Sequence, residues 1–280
     1  MSYKTIVVQV GGDRWCDERV RYACALAAQQ KAHLVGLYLT GPTSGTLAYD
    51  GYAGMIQVWS REHRQADERS DKLCQAFEAS VRDYGIEHTE WRRDDGEAVH
   101  AAALHARYAD LIVLAQPDLD DAGNWFEPHF PAAAAIAAGR PVVVSPHGRG
   151  LCRLPSTVIV AWNGRREATL AATSALPLLR RAKRVIVTVV DAEGDNDPYG
   201  KDFGSAFALY LSRHGVAAEY THEVAGDVTV ADVLLSRAVD WGADLLVAGA
   251  YGHSRARELV FGGVTRQLLA SMTLPVLFAH

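Results

Sequence analysis

The 280-residue chain repeats itself, and this repeat limits its possible folds more than any other feature of the sequence. Residues 109–116, ADLIVLAQ, correspond to residues 243–250, ADLLVAGA, at an offset of 134. The segments near the end of each half, RPVVV at 140–144 and LPVLF at 274–278, keep the same offset. A constant offset between separate segments indicates two copies of one folding unit.

The first copy is the longer of the two. The opening segments, TIVVQV at 5–10 and TVIVAW at 157–162, are 152 residues apart, so the first copy carries about 18 extra residues. Most of them fall in 41–60, a Gly/Tyr-rich stretch that predicts a loop leading into a long polar helix over 58–84.

Both copies alternate short β-branched apolar runs with longer helical stretches, which is typical of a parallel sheet covered by helices on both faces. We predict strands in the first copy near 4–10, 33–39, 86–91, 110–115 and 141–145. In the second copy we predict strands near 157–162, 185–190, 217–223, 244–249 and 275–279, with helices near 166–182, 200–214, 228–241 and 263–272. The predicted fold class is α/β, with two tandem Rossmann-like domains, each a five-stranded parallel sheet flanked by helices.

The domain boundary is predicted at a Pro- and Gly-rich stretch, where both helix and strand pairing are interrupted. This gives a first domain over 1–147, a linker over 148–155 and a second domain over 156–280. So short a linker predicts that the two domains pack against each other.

Charge and composition exclude several classes of protein. The net charge of −5 lies entirely in the first 150 residues, and neither half has the basic surplus expected of a nucleic-acid-binding protein. No apolar run is long enough for a membrane helix, and the first residues enter a strand-like segment without a secretory pattern, so we expect a cytoplasmic protein without a membrane partner. The four cysteines have no metal-ligand or redox spacing.

A glycine-containing segment in the second copy is the strongest functional signal. After a predicted buried strand, Gly249, Gly252 and Gly262 follow a G-x2-G-x9-G spacing and lead into a helix. Glycines allow the backbone to approach a ligand closely, and the free N–H groups at a helix start attract anions. The segment therefore suits a phosphate, although a tight turn without a ligand would also use glycine.

This segment resembles the phosphate-binding loop of the universal stress protein family, and the resemblance extends over nearly the whole chain as a tandem pair of domains. It implies domains of the adenine nucleotide alpha hydrolase type. It also implies ATP or another adenine nucleotide, such as AMP, as the ligand, and Mg only together with ATP. Carried over by position, the implied nucleotide-binding residues are Ala161, Trp162, Asn163, Val189, Ala248, Gly249, Gly252, Gly262, Gly263, Val264 and Thr265.

Two of these positions depart from the family pattern. Asn163 stands where the family usually has Asp, and Gly263 stands where it has Ser or Thr. Thr265, two residues later, could supply the missing hydroxyl. In the first copy the glycines are absent, and an acidic run at 118–121 occupies the loop and would repel a triphosphate. The aromatic segment 125–130 is expected to fill the space that a nucleotide would take.

The sequence thus predicts a universal stress protein that acts as an adenine-nucleotide-binding sensor or interaction module, with the nucleotide in the second domain. The alternative is a nucleotide-independent scaffold in which both clefts are vestigial. No catalytic motif is present, so no enzyme activity beyond slow, incidental ATP hydrolysis is expected. The final strands of the two domains are expected to pair as an intramolecular pseudo-dimer. A homodimer and protein partners are compatible with the sequence.

Overall fold

The computed structural model describes residues 2–40, 52–118, 120–121, 123–124, 126–148, 150, 153–191, 203–250 and 263–280, with the backbone alone for 52–65. Three features named above lie outside these residues: the loop preceding residue 52, Trp125, and the pair Gly252 and Gly262.

The first half alternates strands and helices from its first described residues. Its elements are β1 (Thr5–Val10), α1 (Cys16–Gln30), β2 (His33–Leu39), α2 (Tyr52–Asp83), β3 (Thr89–Asp94), α3 (Ala98–Ala106), β4 (Leu111–Ala115), α4 (Phe130–Ala138) and β5 (Val142–Ser145).

The second half repeats this order. Its elements are β6 (Thr157–Ala161), α5 (Arg166–Ser174), α6 (Leu176–Leu179), β7 (Arg184–Asp191), α7 (Phe203–Arg213), β8 (Ala218–Val224), α8 (Val230–Asp240), β9 (Leu245–Gly249), α9 (Gly263–Ser271) and β10 (Val276–Ala279). Among the described residues, no helix is both long and apolar enough to cross a membrane.

All ten strands belong to one sheet, in the order β3-β2-β1-β4-β5-β10-β9-β6-β7-β8. Within each half the five strands are parallel, which confirms the predicted fold class. In the second half the chain runs outward from β6 through β7 to β8 and then crosses to β9 on the other side of β6. In the first half the chain likewise runs from β1 through β2 to β3 and then crosses to β4 on the other side of β1. Below, the crossover of each half means the point between β1 and β4, or between β6 and β9, where the strand order reverses. In such sheets ligands bind where the strand order reverses.

The two halves meet at the centre of the sheet through their final strands. Val276, Leu277 and Phe278 of β10 pair antiparallel with residues 142–144 of β5. All the residues of this seam are fully buried. Because each final strand takes the other as its neighbour, neither leaves an open edge at this position.

Each face of the sheet carries one hydrophobic core that extends through both halves. One core joins α1 of the first half to α5, α6 and α7 of the second, and the other joins α3 and α4 to α8 and α9. Hydrogen bonds also cross between the halves. The Tyr3 hydroxyl donates to the Ser174 carbonyl at 2.7 Å, and the Gln116 side-chain amide donates to the Leu269 carbonyl at 2.7 Å.

The structure corrects three predicted boundaries. The long helix of the first half was expected from residue 58 but begins at Tyr52, inside the stretch 41–60 that was expected to be mostly loop. The third strand of the first half was expected at 86–91 but spans Thr89–Asp94. Ile86 lies instead in the turn that follows α2, where Gly85 has the left-handed conformation and the Ile86 N–H donates to the Val81 carbonyl. The helix expected over 166–182 divides into α5 and α6, with Pro177 at the start of the second.

We predict that the halves unfold together because their cores and sheet are continuous. Leu277→Ala, a truncation at the fully buried seam, should lower the free energy of unfolding by about 2–5 kcal/mol. It should do so within a single transition in urea, monitored by circular dichroism and tryptophan fluorescence. Leu209→Ala, at a position 56% exposed, is the control and should change it by less than about 0.5 kcal/mol. Two separate transitions, with only one shifted by Leu277→Ala, would contradict this picture.

Candidate functional site

A cavity opens in the second half at the crossover between β6 and β9. The two strands pair through Val158–Val160 and Leu245–Val247 and then separate toward their carboxyl ends. The space between them has a volume of about 320 Å³. This value lies within the range of roughly 300–1,000 Å³ that is typical of small-molecule sites.

Eight of the residues implied by the family resemblance line this cavity. They are Ala161, Trp162, Asn163, Ala248, Gly249, Gly263, Val264 and Thr265. Val189 is not among the lining residues; its side chain lies in the core on the opposite face of the sheet. Its neighbours Thr188 and Val190 line the cavity instead, together with Ala168, Val230 and Leu234. Side chains alternate between the two faces of a strand, so if Val189 faces the core, both of its neighbours must face the cavity. This alternation could have identified Thr188 and Val190 from the sequence.

The packing of the chain itself explains why residue 249 is a glycine. A Cβ at this position would lie 2.6 Å from the backbone nitrogen of Ala168 and 2.6 Å from the carbonyl carbon of Glu167. The end of β9 therefore packs directly on the first turn of α5, and only glycine allows this approach. Because Ala168 also lines the cavity, Gly249 sets how close the wall formed by α5 stands to the wall formed by β9.

Two helices begin at the cavity, and one of them is better suited to an anion. Helix α5 begins beside Asn163, whose side-chain oxygen accepts a hydrogen bond from the Arg165 N–H at 3.2 Å. Its first turn already contains the acidic Glu167. Helix α9 begins at Gly263 and has no acidic residue in its first turn. A helix N-terminus carries partial positive charge, so the start of α9 is the more favourable position for a negatively charged group.

The described lining of the cavity contains no charged side chain and is mainly aliphatic. Two lining residues nevertheless hold buried polar atoms without a hydrogen-bond partner, the Thr188 hydroxyl and the Trp162 indole N–H. The Trp162 ring stacks on Phe207 with centroids 3.6 Å apart, which fixes its plane. The Trp162 ring belongs to the same core as Val189 and Phe207, so of these two atoms only the Thr188 hydroxyl lies on the cavity side of the sheet. Buried polar groups are almost always paired in proteins, so this hydroxyl could bond to a polar molecule in the cavity.

The corresponding position in the first half is filled by a side chain. Strands β1 and β4 separate after Val8 and Val113, just as β6 and β9 do in the second half. At the offset of 152, Gln9 corresponds to Ala161. The Gln9 side chain is fully buried and accepts a hydrogen bond from the Ala115 N–H at 2.9 Å. The larger residue thus occupies the space that remains open beside Ala161.

The loops above the first-half crossover are in direct contact. A Cβ on Gly123 would overlap the Gly12 carbonyl, so the loop after β4 rests on the loop after β1. Asp121 accepts a hydrogen bond from the Arg14 N–H at 2.7 Å, and the Arg14 guanidinium pairs with Asp118 at 3.2 Å. The hydrogen bonds from the backbone N–H groups of Arg14 and Gly123 lower the pKa of Asp121. Arg14 therefore offsets part of the negative charge of this acidic run.

A buried ion pair holds the loop after β1 in place at the first-half crossover. The Arg19 guanidinium, which is fully buried, binds both oxygens of Asp13 at 3.0 and 2.7 Å and donates to the Gln9 carbonyl at 2.8 Å. Burial raises the pKa of the Asp13 carboxyl, but the charge and hydrogen bonds of Arg19 outweigh it and hold this pKa below its ordinary value. The pair thus connects the loop after β1 to helix α1 and to the residue that fills the cleft.

The aromatic segment of the first half is packed inside the protein where it is described. Phe126 and Phe130 are buried and stack on each other with ring centroids 4.4 Å apart. Both belong to the core on the α3–α4 face. Trp125 lies outside the described residues. The two rings are thus part of the core, and the expectation that the segment fills the first-half cleft stays a prediction.

Within the described part of the chain, no group of three or more His, Cys, Asp or Glu side chains is arranged to hold a metal ion. The fold and the site together define a class: a tandem Rossmann-like α/β protein with one cleft open at its crossover and the other closed. Residues 156–280 match the universal stress protein family. This match confirms the resemblance inferred from the glycine segment of the second half.

Solved structures extend the similarity in fold to nearly the whole chain. A universal stress protein from Archaeoglobus fulgidus is 14% identical over 98% of this chain and 95% of that chain, with a TM-score of 0.67. A putative universal stress protein from Pseudomonas aeruginosa UCBPP-PA14 is 13% identical over 99% and 93%, with a TM-score of 0.60. At these identities the likeness concerns the fold alone. No curated protein matches the sequence.

The Asp13–Arg19 pair predicts a pH-dependent contribution to stability. Asp13→Asn would remove the carboxylate that binds the buried Arg19 guanidinium and should destabilise the protein by about 3–5 kcal/mol at pH 7. Because the pKa of Asp13 is lower in the folded state, its contribution is present above the ordinary carboxyl pKa and is lost as pH falls through the folded value. The difference between wild type and Asp13→Asn should therefore shrink below about pH 4 in urea unfolding experiments.

Glu219→Gln is the matched control, since Glu219 pairs with Arg184 at an exposed position. It should change the free energy of unfolding by less than about 1 kcal/mol at every pH tested. An Asp13→Asn effect as small as this control, or one that stays constant with pH, would show that the buried pair does not hold the closed region together.

Proposed function

We propose that the chain is a stress-response protein of the universal stress type that binds one adenine nucleotide, ATP or AMP, in the cavity of its second half. The observation that carries the proposal is this cavity, which opens where β6 and β9 separate and where α9 begins. Ligand sites in open α/β sheets are found at this point of the topology. The proposal includes the cytoplasmic location expected from the sequence.

The nucleoside would lie against the uncharged walls formed by β6, β7 and β9. Ala161 and Ala248 line this part of the cavity, and their small apolar side chains leave room for a planar ring. The phosphates would lie toward Gly263, Val264 and Thr265, where the amides of the first turn of α9 attract negative charge. Gly252 and Gly262 would complete the phosphate contacts by analogy with the family. Mg would accompany ATP and offset part of the phosphate charge.

Asn163 makes this site differ from the pattern of its family in one physical respect. An aspartate at the cavity rim would add a negative charge near the bound nucleotide, whereas the amide of Asn163 adds none. Its side-chain oxygen is engaged by the Arg165 N–H, so it also shapes the turn into α5. The neutral rim therefore does not exert on a negatively charged ligand the repulsion that an aspartate would.

The protein is proposed to act as a sensor or interaction module, in which bound nucleotide changes the surface around the second-half cleft, and not as a dedicated enzyme. Its first half would serve as the structural partner that the final strand of the second half requires. A scaffold that works without nucleotide is the second candidate, and the closed first-half cleft favours it. The two candidates differ in a single observable, nucleotide binding by the second half.

We predict that filling the cavity abolishes nucleotide binding. Ala161→Gln introduces the residue that closes the first half at Gln9, and its side chain would occupy the space proposed for the nucleoside. Wild-type protein, freed of nucleotide by denaturation and refolding, should give binding heats with ATP, ADP or AMP in isothermal titration calorimetry. Ala161→Gln should give none at millimolar ligand. Any nucleotide released by the first denaturation step is identified by chromatography.

Ala217→Gln is the matched control, because it makes the same change at an exposed position before β8. It should bind as wild type does. If wild type neither releases nucleotide nor produces heat at millimolar ligand, the scaffold is the correct function. If Ala161→Gln binds as tightly as Ala217→Gln, nucleotide is bound elsewhere and the cavity is not the site.

A further inference from the structure

Thr188 holds a hydroxyl in an unusual position. It lies in the middle of β7, opposite Ala161 of β6, and only 1% of the residue is exposed. Its backbone carbonyl accepts a hydrogen bond from the Trp162 backbone N–H, but its hydroxyl has no hydrogen-bond partner within the described part of the chain. A buried hydroxyl without a partner disfavours folding, so its presence calls for an explanation.

The hydroxyl is on the side of the sheet where the cavity lies. Val187 and Val189, the neighbours of Thr188 in β7, belong to the core on the opposite face. Side chains alternate along a strand, so Thr188 points the same way as Val190. Thr188 and Val190 both line the cavity, with Leu234 across from them. A molecule in the cavity would therefore meet the Thr188 hydroxyl on an otherwise aliphatic wall.

The first half provides an internal comparison. In the first half Leu37 of β2 pairs with Gln9 of β1, and in the second half Thr188 of β7 pairs with Ala161 of β6. Because Gln9 and Ala161 correspond, Leu37 is the equivalent of Thr188. Leu37 is fully buried in the core. An apolar residue thus stands in the half whose cleft is filled by a side chain, and a hydroxyl stands in the half whose cleft is open.

We propose that Thr188 determines specificity for the base of the nucleotide, by a hydrogen bond from its hydroxyl to the polar edge of the adenine ring. The walls around it, Val190, Leu234 and Ala248, are apolar and suit a flat heteroaromatic ring. A phosphate would require several donors or positive charge, and this wall provides neither. The inference rests on the proposed function, since it assigns a role within the same nucleotide site.

Thr188→Val tests this role because it replaces the hydroxyl by a methyl group of similar size. Its affinities for adenine, adenosine and AMP should all fall by the same factor, about threefold to tenfold. The melting temperature of the nucleotide-free variant should not fall and should rise by about 2 °C, because a buried, unpaired hydroxyl is removed. Thr188→Ser, which keeps the hydroxyl, should recover most of the affinity.

Thr173→Val is the matched control, since it makes the same change near the end of α5, where the Thr173 hydroxyl bonds to the Thr169 carbonyl. It should leave all three affinities unchanged. A loss in Thr188→Val for AMP alone would place the contact at the phosphate, and a loss for adenosine and AMP but not adenine would place it at the ribose. Either result overturns the assignment to the base.

The remaining outcomes separate this inference from the proposed function. If wild type and Thr188→Val bind all three ligands equally well, the role of Thr188 is wrong while the nucleotide site stands. If wild type binds none of them, the proposed function fails and the role of Thr188 fails with it.

Discussion

The antiparallel pairing of β5 with β10 is the interaction on which the rest of the molecule depends. It converts two five-stranded sheets into one sheet of ten strands and buries the two final strands at its centre. Because the pairing is antiparallel, the two copies are related by a local two-fold axis. Both hydrophobic cores then continue through the two halves, so each copy supports the stability of the other.

This mutual support allows the two copies to differ at their crossovers. In the first half, Gln9 enters the gap between β1 and β4, and the Asp13–Arg19 pair and the Gly123–Gly12 contact hold the loops above it. In the second half, Ala161 leaves the corresponding gap open, and Thr188 places a hydroxyl where the first half has Leu37. The first-half crossover is thus filled and linked by side chains of the chain itself, whereas the second-half crossover keeps an open cavity beside the Thr188 hydroxyl.

The sequence predicted those parts of the fold that depend on local patterns. The strands of the parallel sheets follow from their apolar runs, and the family of the second half follows from its glycine segment. The predicted start of β3 was wrong because Ile86, an apolar residue in the turn after a helix, has the same sequence pattern as the first residue of a strand. The Gln9 bond to Ala115 and the unpaired hydroxyl of Thr188 could not be predicted, because both depend on distances between strands that are far apart in the sequence.

We propose that one copy is open to a nucleotide and that the other is closed by its own side chains. The number of nucleotides bound per chain distinguishes the two copies, and equilibrium dialysis of the nucleotide-free protein against labelled ATP at saturating concentration measures it. We expect one nucleotide per chain. Two per chain would mean that the first-half cleft also binds, and none would mean that the open cavity has another use.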